Sequence, residues 1–66
     1  MTSEQTEQLL DTAVITKEYD YGLRDATLFV TDKGFFVYDS LRMVTTHHST
    51  FQDADGRANI IKALNR

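Results

Sequence analysis

The rhythm of apolar and polar positions changes twice along the chain. Residues 1–8 are polar, and then Leu9 and Ala13, like Leu10 and Val14, recur at i,i+4 to make a short apolar stripe. Thr2 or Ser3 suits an N-cap, and Glu4 and Glu7 then sit near the positive end of a helix over about 3–12. A frayed tail leading into Leu9 is the competing reading. From Val14 the stretch VITKEYDY is rich in β-branched and aromatic residues and alternates. As a strand it carries Ile15, Lys17, Tyr19 and Tyr21 on one face, with Val14, Thr16, Glu18 and Asp20 on the other. Residues 22–25 read as a connecting loop opened by Gly22.

The clearest signal follows. Two apolar-rich runs, 26–31 and 35–39, flank Asp32, Lys33 and Gly34. A three-residue loop ending in glycine predicts a type I turn with a bulge, Gly34 taking a positive φ. That turn sets Thr31 opposite Phe35, Val30 opposite Phe36 and Leu28 opposite Tyr38. One face of the hairpin then holds Ala26, Leu28, Val30, Phe36 and Tyr38. The other holds Thr27, Phe29, Thr31, Phe35, Val37 and Asp39.

Residues 40–48 have strand composition, either prolonging the third strand or forming a fourth after a turn near Asp39 and Ser40. From Asp53 the sequence DADGRANIIKAL reads as a C-terminal helix, with Asp53 as N-cap, Asp55 in the first turn, and Lys62 and Arg66 towards its end. Ala54, Ala58, Ile61 and Leu64 or Asn65 trace its apolar face, with Ile60 beside it. Gly56 costs about 1 kcal/mol relative to alanine, so tertiary contacts must hold this helix. The expected architecture is α+β: a three- or four-stranded antiparallel β-meander with a C-terminal helix packed on one face, and a short N-terminal helix where the first stripe folds. No repeat or linker divides residues 1–66, which read as a single small domain.

Composition narrows the function classes. At 41% hydrophobic, the 66 residues can form a small core, and without cysteine they offer no disulfide, thiolate nucleophile or cysteine-based metal site. The opening MTSEQTEQ has no signal-peptide pattern, and no apolar run approaches a membrane span; a soluble, cytoplasmic protein is expected. The net charge of −3 is uneven, since Glu4, Glu7, Asp11, Glu18 and Asp20 face Lys17 alone in the first twenty residues. No two basic residues are adjacent, so the footprint of a phosphate-binding surface is missing and nucleic acid is a disfavoured partner. That class survives as an alternative only if the sheet gathers Lys17, Arg24, Lys33 and Arg42.

Several local constellations fail on inspection. His47 and His48 are neighbours, so in an extended segment their rings point to opposite faces and cannot chelate one metal together; at most one of them reaches Asp53 or Asp55. The segment around Asp53 and Asp55 resembles part of an EF-hand loop, but Phe51 and Lys62 then fall where calcium needs acidic oxygens. Lys33-Gly34-Phe35-Phe36-Val37-Tyr38 resembles the aromatic strand of RNA-recognition and cold-shock domains, yet it lacks the small residue that keeps two stacking rings on one face. Ser40, Ser49, the histidines and the aspartates sit in no nucleophile frame. No catalytic residue, cofactor, metal or small-molecule substrate is assigned.

What remains is a two-sided hairpin. With one face under the helix, Phe29, Phe35 and Val37 lie on the back, joined by Tyr19 and Tyr21 depending on how the first strand pairs. Such an apolar face needs a cover. Either the N-terminal segment folds over it through Leu9 and Leu10, or it binds a partner, which is another protein or a second copy of the chain. The sequence-level expectation is a non-enzymatic protein-interaction module, an inhibitor, adaptor or regulator, with Phe29, Phe35, Val37, Tyr19 and Tyr21 as candidate partner-binding residues.

Overall fold

The computed structural model describes residues 2–21 and 24–64. Helix α1 (Ser3–Asp11) leads into strands β1 (Ile15–Tyr21), β2 (Arg24–Thr31), β3 (Gly34–Asp39) and β4 (Val44–His48), and helix α2 (Phe51–Leu64) ends the chain. The strands form one antiparallel sheet in sequence order, β1-β2-β3-β4. The fold is the expected α+β meander with four strands, the segment after Asp39 being a turn and then a fourth strand. The expected loop at 22–25 is shorter, since Arg24 and Asp25 pair with Tyr21 and Asp20; Gly22 and Leu23 lie outside the described residues.

Each helix starts on a threonine. Thr2 caps α1 through a reciprocal box: its Oγ1 accepts from Gln5 N at 3.2 Å, and its own N donates to Gln5 Oε1 at 2.9 Å. Helix α2 begins two residues before the expected start. Asp53 is not its N-cap, because Thr50 Oγ1 accepts from Asp53 N at 3.1 Å and Thr50 O from Ala54 N at 3.2 Å. Asp53 therefore stands in the first turn, favourably placed against the helix dipole.

Helix α2 lays Ala54, Ala58 and Ile61 on the sheet, where they meet Tyr19, Ala26, Leu28 and Val37, with Val30 and Phe35 packed against them. Leu64 and Ile60 remain exposed. Fully burying a side chain such as Leu28 or Ile61 stabilises the fold by about 1.5–3 kcal/mol.

The hairpin register differs from the sequence expectation by one residue. Thr31 faces Gly34, Val30 faces Phe35, Phe29 faces Phe36 and Leu28 faces Val37, so the loop is Asp32 and Lys33 alone. Gly34 does take a positive φ, +129°, but as the first paired residue of β3. The slip exchanges the faces of β3. Phe35, Val37 and Asp39 turn towards α2, while Phe36 and Tyr38 join Thr27, Phe29 and Thr31 on the other side. That second face is where α1 lies: Thr6 is buried, and its Oγ1 is 2.8 Å from Thr45 Oγ1 of β4.

Candidate functional site

The expected partner face does not exist as one surface. Tyr19, Phe35 and Val37 pack beneath α2, and Phe29, 0% exposed, lies in the opposite layer. Tyr21 is in β1, and its side chain lies outside the described residues. The N-terminal segment supplies the cover on the second side, with Leu9 and Leu10 half-buried on α1.

Tyr19 is instead a tie between β1 and α2. Its hydroxyl donates to the Asp55 carboxylate, and Lys17 Nζ lies 4.7 Å over its ring and 3.9 Å from the same oxygen of Asp55. Burial, then the hydrogen bond to the Asp55 carboxylate and its charge, push the phenol up to about 12. Of the basic residues named for nucleic acid, Lys17, Lys33 and Arg42 are not gathered. Lys17 is engaged by Asp55 on the α2 side, Lys33 sits in the turn before β3, and Arg42 follows the far end of β3, 2.8 Å from Asp39 Oδ2. The side chain of Arg24 lies outside the described residues.

The histidines separate as strand alternation requires. His48 Nδ1 is 2.7 Å from Asp53 Oδ2 and its Nε2 is 2.7 Å from Thr46 Oγ1, which ties the end of β4 to the first turn of α2. His47 lies on the α1 side, its ring stacked on Phe36 at 4.7 Å between centroids and its Nε2 3.2 Å from Lys33 O. Phe36 in turn stacks on Phe29 at 5.4 Å. Phe29, Phe36 and His47 are directly opposed across β2, β3 and β4, so three rings form a column that ends at the sheet edge with an exposed imidazole. The column borders an open groove of about 820 Å³ beside α1, whose wall includes Gln5, Gln8 and Leu9. Among the described residues no group of three or more histidine, aspartate or glutamate side chains could hold a metal ion.

A further exposed apolar stretch stands apart from the expected partner face. It is the turn from β3 to β4, built around Asp39. This carboxylate is 1% exposed; Oδ1 accepts from Leu41 N at 3.0 Å and from Arg42 N at 3.3 Å, and Oδ2 accepts from Arg42 Nη1 at 2.8 Å. Met43 N closes the turn on Asp39 O at 2.8 Å. Burial alone would raise the Asp39 pKa, but the bonds from the Arg42 side chain and the two turn amides, with the Arg42 charge, outweigh it and hold the carboxyl below its ordinary value. To finish this turn Met43 adopts φ +57°, the one positive φ at a non-glycine among the described residues. Leu41, Met43 and Val44 are left exposed, Met43 by 66%. The turn near Asp39 and Ser40 is one of the two sequence readings, but strand composition hides the exposure of Leu41, Met43 and Val44.

No protein-family model, curated protein or solved structure matches this chain. Among the described residues no helix is long and apolar enough to cross a membrane.

Proposed function

We propose that this chain is a non-enzymatic protein-interaction module, acting on a protein partner as an inhibitor, adaptor or regulator. Its contact surface is the β3–β4 turn and the start of β4, rather than the aromatic face expected from the sequence. The observation that carries this reading is the backbone at Met43. A left-handed conformation costs a side-chain-bearing residue about 1–2 kcal/mol, and glycine or asparagine would avoid most of it. Stability alone gives no reason for an exposed methionine there. A contact does: methionine is polarisable and adapts to a partner, and it stands with exposed Leu41 on a turn already ordered by Asp39, next to Val44 at the start of β4. Exposed apolar side chains on a held turn are the kind of feature that marks docking surfaces.

Photo-methionine incorporated at position 43, irradiated in extracts of the source cells, tests this. The expected result is a discrete protein adduct on the peptide containing Met43, lost in Leu41→Asp while the variant keeps its circular dichroism. No adduct, or an adduct indifferent to Leu41→Asp, would sink the proposal.

A further inference from the structure

We infer that the partner seated on this surface is a second copy of the chain, joined strand to strand through the outer edge of β4. The inference rests on the interaction reading above and names its occupant. The sheet has two edges, and they differ in chemistry. The β1 sequence holds Lys17, Glu18 and Asp20, charges of the kind that protect an edge from pairing. The β4 sequence, Val-Thr-Thr-His-His, holds no carboxylate, lysine, arginine or proline, and among the described residues β4 pairs with β3 alone. A strand without charged residues limits the repulsion between two copies that each carry a net charge of −3.

Self-complementarity argues for a like copy over a foreign strand. A two-fold axis normal to the sheet pairs β4 with β4 antiparallel and keeps both α2 helices on one side. Side chains paired across the axis must share a face, so the axis passes through a residue; Thr46, the middle of β4, gives the longest overlap, and His47 is one step along. In either register Val44 comes up against residues 48–50 of the second copy, at the threshold of its α2. Val44 lies on the α2 side and is 45% exposed, and Phe51, at the start of α2 against Phe35, is 46% exposed. Val44 of one copy thus comes to the end of β4 from which α2 and Phe51 of the other follow. In either register, too, the two His47 rings become direct or diagonal neighbours, so the ring column of one sheet leads towards that of the other. Pairing also satisfies the backbone groups on the outer side of β4. A five-residue edge with an apolar contact at each end is small, so association should grow with concentration through the micromolar range and above.

Light scattering on a sizing column, with the full chain loaded from micromolar to millimolar, tests the inference. The mass should climb from 7.6 kDa towards twice that value. Val44→Lys and His47→Lys, made separately and checked by circular dichroism, should each hold it at 7.6 kDa at every loading, whereas Ile15→Lys on the β1 edge should leave the doubling intact. A wild-type chain that stays at 7.6 kDa at millimolar loading overturns the second-copy inference without needing any variant. So does doubling that survives both β4 substitutions in folded protein, or that Ile15→Lys abolishes. The interaction reading fails separately, by a blank crosslink at Met43; a monomer that still crosslinks to another protein refutes only the second copy.

Discussion

Gly34 and His47 compete for the same space: a methyl group at residue 34 would stand 2.7 Å from the imidazole Nε2. The glycine therefore serves two ends. It accepts a φ of +129° at the hairpin, and it lets the His47 ring lie flat on Phe36 with its nitrogen against Lys33 O. Gly34→Ala should lose about 1 kcal/mol or more from the backbone alone. In a His47→Ala background the loss should be smaller by roughly 0.5 kcal/mol or more, since the clash has gone. Urea midpoints for the four proteins of this cycle measure it, and strict additivity would show that the close approach carries no energy.

The two faces of the sheet bury their phenylalanines to different depths, Phe29 of β2 fully and Phe35 of β3 in part. Phe29→Ala should cost about 3–5 kcal/mol. Total stability for this length is on the order of 3–10 kcal/mol, so that variant should be largely unfolded. Phe35→Glu puts a carboxylate beside Phe51 under α2 and should lower stability by about 1–3 kcal/mol. A Phe35→Glu protein as stable as the parent would restore Phe35 to a solvent-facing sheet surface.

Asp39 makes the β3–β4 turn acid-sensitive. Its folded pKa lies below the ordinary value of 3.8, so the unfolded chain binds the proton first as pH falls. Its contribution is complete above 3.8 and is withdrawn as pH drops through the depressed folded value. Asp39→Asn should be less stable at neutral pH and should show a shallower loss of stability below pH 3.8, read from urea midpoints across that range.

Tyr19 gives the opposite dependence at the alkaline end. Its pKa is raised from 10.0 to about 12, so the folded chain holds its phenolic proton where the unfolded chain has released it. That stabilisation is complete below pH 10.0 and is lost as pH climbs through about 12. Tyrosinate absorbance should resolve one late phase in the native protein, absent in Tyr19→Phe. The variant should also be about 1 kcal/mol less stable at neutral pH, having lost the bond to Asp55.

Local pattern narrowed the α1 cap to Thr2 or Ser3 and made the α+β class, the hairpin and the apolar face of α2 legible. The register of β3 was not. Phe35, Phe36, Val37 and Tyr38 are all apolar or aromatic, so a one-residue slip trades one bulky residue for another on each face and leaves the pattern unchanged. Only the packing of α2 on Phe35 and Val37, and of Phe36 between Phe29 and His47, separates the two registers. The candidate site followed the register: with β3 shifted, Phe35 and Val37 turned under α2, away from Phe29. The Met43 conformation and the buried Asp39 carboxylate are tertiary facts with no signature in a stretch of strand-like composition.

Backbone amide hydrogen exchange, followed residue by residue while the protein is concentrated from micromolar to millimolar, tests β4 as the contact surface most directly. The β4 amides that point away from β3 should gain protection with concentration, and those of β1 should not change. Protection that appears on β1 instead, or β4 amides whose exchange is independent of concentration up to millimolar, would contradict it.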